Sequence, residues 1–180
     1  RLHGVMIPDP HNGARGYVIR SLYFDTLDDS DYEGKIDGLE VRKKIRLRIY
    51  SPDSPFAMLE MKQKEGANQR KRSLRISREL GQELTQGRYA GLLQLEDPFA
   101  AECYGLMQCR CYRPKTVVEY LRKAFIAKEN RTRITLDSEI RANEACMDLF
   151  SPTLNLVPVL DPFNGVLEVK YNGFLLGYIK

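Results

Sequence analysis

Residues Arg42–Arg48 read RKKIRLR and residues Arg70–Arg78 read RKRSLRISR; each stretch carries five cations and no carboxylate. Apolar residues recur at every second position, the period of a strand whose successive side chains point to opposite faces. Arg42, Lys44, Arg46 and Arg48 then share one face, and Val41, Ile45, Leu47 and Ile49 share the other, with Lys43 the single polar interruption. Lys71, Ser73 and Arg75 likewise stand together. For one strand alone, the plain reading is an apolar face on the core and a charged face in water. A wetted face, however, usually mixes Lys with Glu, because like charges directly opposite one another repel. Two cation rows without an acid point to an anionic partner, and the planar fork of Arg suits phosphate.

The few acids in such strands carry a second kind of chemistry. Glu60-Met61-Lys62 and Glu168-Val169-Lys170 each place a carboxylate and an ammonium on one strand face. A hard cation such as Mg²⁺ or Mn²⁺ binds through one or two carboxylates plus phosphate oxygens, so either Glu is a candidate metal ligand. The alternative is a salt bridge along the face. Further on, Tyr120 and Arg122 share a side of their strand, as do Arg131, Arg133, Thr135 and Asp137.

The elements that must position these groups follow from the same periodicity. Gly16–Thr26, the stretch up to Tyr50, Phe56–Lys64, Arg70–Ser77, Thr116–Ala127, Arg131–Ile140 and Gly165–Asn172 read as strands. Asp37-Gly38 and the two prolines of Ser51–Pro55 punctuate them. Between residues 79 and 112 the apolar spacing becomes helical, with Asp97-Pro98 as cap and first position. The order of strands, helical insert and strands predicts an α+β domain, an antiparallel sheet or barrel with helices outside it, spanning 1–180.

Composition sets bounds around this. The chain has 180 residues and a formal net charge of +4, too mild to demand nucleic acid or an acidic membrane by itself. No apolar run is long enough to span a membrane and no leader is evident, which predicts a cytoplasmic protein. Cys103, Cys109, Cys111 and Cys146 form no C-x-x-C pair and lie far from His3 and His11, which argues against zinc. They read as reduced thiols, with a Cys109–Cys146 disulfide left open.

In this order and spacing, YVIRSLYFDT, IRLRIY, LEMKQK, RTRITLD and LEVKYN resemble the vacuolar transporter chaperone (VTC) catalytic domain, particularly its bacterial homologues, across Tyr17 to Lys180. That domain belongs to the triphosphate tunnel metalloenzymes. The resemblance implies a CYTH-like antiparallel β-barrel whose tunnel of Arg, Lys and Glu binds ATP, triphosphate or polyphosphate with Mn²⁺ or Mg²⁺. By motif it implies phosphate contacts from Arg46, Arg48, Lys62, Lys71, Arg122, Arg133 and Lys170, and a metal ligand in Glu168. Arg42 and Lys44 join by face parity, and Glu60 as a second acid. The family's first strand (Glu-x-Lys-Tyr) and a late Ser-Lys-Tyr strand have no counterpart here. The barrel is therefore expected to be incomplete and the chain inactive alone, unless a second copy fills the gap.

The implied activity is transfer of the ATP γ-phosphate to polyphosphate. A triphosphate or nucleoside triphosphate hydrolase of the same fold, and a non-catalytic polyphosphate-binding module, are the alternatives. A nucleic-acid-binding sheet would need repeated aromatics among the cations, and only Tyr50 and Tyr120 lie on cationic faces. Oligomeric state is open.

Overall fold

The computed structural model describes residues 4, 6–127, 132–174 and 177. In chain order the elements are β1 (Ile7–Pro8), β2 (Tyr17–Asp25), α1 (Ser30–Ile36), β3 (Val41–Ile49), β4 (Phe56–Glu65), β5 (Asn68–Ser77), α2 (Arg78–Thr85), a 3₁₀ turn (Ala90–Gln94), α3 (Pro98–Cys109), β6 (Arg113–Ile126), β7 (Arg133–Asn143), β8 (Val157–Pro158) and β9 (Val166–Lys170). The strand order is β5-β4-β3-β2-β6-β7-β8, with β1 on β6 and β9 on β7. The registered pairs are antiparallel. No pairing joins β5 to β8 among the described residues, in line with the incomplete barrel expected. Arg131 lies outside the described residues.

The chain forms two compact units. The larger comprises Arg20–Val118 and Ala142–Leu156; the smaller comprises Arg1–Ile19, Glu119–Arg141 and Val157–Lys180.

In the larger unit the period-2 pattern of β3 and β4 sorts side chains as expected. Ile45, Leu47, Leu59 and Met61 are fully buried. They join one core with Leu84 of α2 and Ala100, Cys103 and Met107 of α3, so both helices pack on the apolar face. Each such aliphatic side chain contributes roughly 1.5–3 kcal/mol by leaving water. The opposite face keeps its cations. Ser77 caps α2 by accepting from the Leu80 amide at 3.2 Å, and Asp97 caps α3 by accepting from Phe99 at 2.7 Å and Ala100 at 3.1 Å. The helices thus start where the sequence signals them.

Several strand boundaries differ from expectation, β7 running on to Asn143 and β9 ending at Lys170 among them. β5 begins at Asn68, because Gly66 at φ +57° lets a tight turn close directly onto a Glu65–Asn68 pair. β6 begins at Arg113 despite Pro114, since a proline at the start of a strand sacrifices little of the ladder.

The smaller unit has its own cluster of Met6, Phe125, Ala127 and Ile134 with Val169 against it. Gly16 enters β2 at φ +115°, and a Cβ there would stand 2.4 Å from the carbonyl oxygen of Arg122. Among the described residues no helix is long and apolar enough to cross a membrane. Cys103, Cys109, Cys111 and Cys146 are all free thiols, so the Cys109–Cys146 bridge is not formed.

Candidate phosphate-binding site

In the larger unit, β2, β3, β4 and β5 lie side by side and bring the polar faces of four strands together. The register sets Arg46 opposite Tyr23 and Glu60, and Glu60 opposite Ser73. Glu60 is 2% exposed and is the hub of the cluster. Arg46 Nε donates to its Oε2 at 2.7 Å, Arg48 Nη2 to its Oε1 at 2.6 Å, and Lys71 Nζ lies 2.7 Å from that same oxygen. Burial alone would raise the Glu60 pKa, but Arg46, the Lys71 hydrogen bond and Arg48 outweigh it and hold the carboxyl below its usual range. Arg46 Nη1 also donates to Tyr23 Oη at 3.2 Å, while the Nε of Arg48 is buried without a partner. Both arginines thus keep unused N–H donors while their forks are fixed.

Next to this hub the register puts like charges against each other. Lys62 faces Lys44 on one side and Lys71 on the other, and Arg42 faces Lys64. A cavity of about 180 Å³ opens here, walled by Lys35, Arg42, Lys43, Lys44, Lys62 and Lys64 with Asp31 as the lone acid. Lys44 Nζ stands over the Tyr23 ring at 4.8 Å. Burial pushes the Lys44 ammonium below the usual lysine range; Tyr23 opposes this, and Lys35, Arg46 and Lys62 add to it. Lys43, on the other side of β3, reaches Asp31 of α1 at 3.4 Å. A row of cations at this density concentrates positive potential on this face.

The smaller unit holds the remaining sequence-derived residues. Arg122 grips Asp137 through two bonds, Nε to Oδ1 and Nη2 to Oδ2, both 2.6 Å, and stacks over Tyr120 at 5.2 Å. Arg133 is opposite Lys170 in register, and its Nη2 lies 2.9 Å from Asp9 Oδ2. Burial works to raise the Asp9 carboxyl, but hydrogen bonds from His11 and the charge of Arg133 hold it below its usual value. Lys170 Nζ is 3.4 Å from Glu168 Oε1.

The family profile of the VTC domain matches residues 1–180. The chain belongs to the VTC domain family. No curated protein matches it. Among solved structures it is similar to a Bacillus halodurans protein described as a candidate adenylate cyclase, at 12% identity and a TM-score of 0.48. That match covers 76% of this chain and 64% of the other, so the chain spans less than two thirds of that protein's length.

A metal in this VTC domain would have to suit the acids present. Among the described residues, no three His, Cys, Asp or Glu side chains gather into a metal cage. Glu60 is saturated by cations and would repel one. Glu168 is half-exposed and stands opposite Thr135, whose hydroxyl is buried without a hydrogen-bond partner. Glu168 also pairs with Lys170, so a Mg²⁺ or Mn²⁺ held there would have one protein carboxylate and would take its other ligands from phosphate and water.

Several residues of these clusters carry no local signal in the sequence. Asp9, His11 and Tyr17 surround Arg133: the Nδ1 of His11 is 2.8 Å from Asp9 Oδ1, and Arg133 Nη2 donates to Tyr17 Oη at 3.3 Å. More than a hundred positions of chain separate them from Arg133, so only the fold joins them. Tyr23 was legible as part of a strand, and its parity could have placed it beside Arg46.

Proposed function

We propose that this VTC domain is a polyphosphate polymerase-like phosphotransferase, moving the γ-phosphate of ATP onto a polyphosphate chain in a basic tunnel with a divalent metal. The observation that carries the reading is the row Lys44–Lys62–Lys71, three cations directly opposite one another with no acid between them. Glu60 already pairs with Lys71, and a string of phosphates would compensate the ammonium groups of Lys44 and Lys62 beside it.

Phosphoryl transfer needs positioning and cancellation of charge on the transferred group more than covalent help. Arg46 and Arg48, their forks set by Glu60, would bind phosphate oxygens through their unused N–H groups, with Lys62, Lys71, Lys44 and Arg42 neutralising the chain. Arg122, Arg133 and Lys170 would take the same role in the smaller unit, each oriented by a carboxylate. A bound Mn²⁺ or Mg²⁺ would be held by Glu168 and would supply further neutralisation of phosphate charge. No nucleophilic side chain is required.

The test is incubation of the purified full-length protein, or of a self-associated form of this chain, with ATP and Mn²⁺, with products resolved by gel and ³¹P NMR. ADP together with lengthening polyphosphate, lost in Glu168→Gln, is the expected result. Orthophosphate without polymer would identify a hydrolase instead, and tight triphosphate binding without turnover a binding module.

A further inference from the structure

A second cavity of the larger unit, about 710 Å³, adjoins the cation cavity; the two share Asp31, Lys35, Lys43 and Lys44 in their walls. Its chemistry is different. Asp25, Asp29, Asp31 and Glu144 balance Lys35, Lys43, Lys44 and Lys115 there, and Tyr23 and Tyr32 add aromatic surface. Most of these charges are already engaged. Asp25 accepts from the amides of Asp31 and Tyr32 at 2.9 Å each, and Asp29 pairs with Lys115 at 2.8 Å. Asp31 accepts from Tyr112 Oη at 2.5 Å and lies 3.4 Å from Lys43 Nζ. The Tyr32 ring, by contrast, is 57% exposed, and Glu144 is exposed too.

A phosphate chain that fills the cation cavity gains nothing by continuing into this one, where formal charges cancel and four carboxylates stand in the wall. A ligand suited to both cavities is a polyanion at one end and a neutral, planar, hydrogen-bonding body at the other. We propose that the second cavity receives the nucleoside end of a nucleoside triphosphate. The base stacks on Tyr32, the sugar hydroxyls donate to Glu144, and the phosphates begin at Lys35 and Lys44. The volume suits a nucleoside, and aromatic stacking of a base is largely independent of its identity. The inference rests on the phosphate reading of the cation cavity and adds to it the end at which the nucleotide sits.

Calorimetric titration of ATP and of inorganic triphosphate into the wild type, Tyr32→Ala and Tyr32→Phe tests it. Tyr32→Ala is expected to weaken ATP binding about tenfold, the scale of one lost stacking contact. Triphosphate binding stays unchanged and Tyr32→Phe binds ATP as the wild type does. If triphosphate binds but Tyr32→Ala leaves ATP affinity intact, or weakens both ligands equally, the nucleoside site is wrong while the phosphate site stands. If the wild type binds neither ligand, the phosphate reading fails and this inference with it.

Discussion

Lys62 on β4 stands directly opposite Lys44 on β3, and its other neighbour across the sheet is Lys71. Two ammonium groups directly opposite one another destabilise a sheet. The fold tolerates this pairing twice, and burial lowers the Lys44 pKa besides. Glu60 compensates Lys71, and for Lys44 and Lys62 a bound polyanion would reverse the sign of the repulsion.

Lys62→Ala should therefore act oppositely on the empty and the loaded protein. The ligand-free melting temperature rises, by the equivalent of a few tenths of a kcal/mol. Triphosphate affinity falls about tenfold, the loss of one charge-assisted contact, and its salt dependence flattens. Differential scanning calorimetry with and without triphosphate reads both effects.

Glu60→Gln removes the anion on which three cations converge. Deleting one member of a buried ionic cluster costs about 3–5 kcal/mol; Lys71 is half-exposed, so a loss of about 2 kcal/mol is expected after solvent screening. Triphosphate can supply the missing charge, so its stabilising thermal shift should be larger in Glu60→Gln than in the wild type. An equal or smaller shift would mean that Glu60 does not share cations with the ligand site.

The same carboxyl sets a pH dependence. Its folded pKa is below the ordinary 4.5. Its stabilisation is then complete above pH 4.5 and is lost as pH falls through the folded value. Asp9 is shifted in the same direction, so the informative quantity is the difference between wild type and Glu60→Gln. Urea midpoints of the two proteins should draw closer as pH falls below 4.5.

Arg122→Lys separates charge from geometry. The guanidinium spans both oxygens of Asp137, which an ammonium on a flexible stem cannot reproduce. Turnover is expected to fall about tenfold or more with net charge unchanged, and steady-state kinetics with ATP would show it.

The faces of β3, β4 and β5 were legible in the sequence because side chains alternate: Ile45 and Leu47 are sealed while Arg46 and Arg48 stay on the polar side, although Val41 at the start of β3 is exposed and Glu60 is buried among its cations. Lys43, out of phase with that row, indeed goes to Asp31 of α1. Partners across strands were not legible. Glu60 and Lys62 suggested a same-strand ion pair, yet Glu60 bonds Arg46 directly opposite it and Arg48 and Lys71 diagonally across the neighbouring strands, all within reach of long side chains. For Glu168 and Lys170 the same-strand pair does form, at 3.4 Å. Asp9 and His11 escaped notice because no local period ties a loop residue to an arginine on β7. The family motif, by contrast, reached Arg122 and Arg133 through their own strands.

The central claim is that the row Lys44–Lys62–Lys71 is a receptor for linked phosphates, and titration of inorganic triphosphate into the wild type and into Lys44→Ala/Lys62→Ala/Lys71→Ala tests it most directly. Saturable binding by the wild type that weakens steeply with salt is expected, reduced about a thousandfold in the triple variant, about tenfold for each lost charge-assisted contact. Equal affinity in both proteins, or no binding by a folded wild type at low salt, would contradict it.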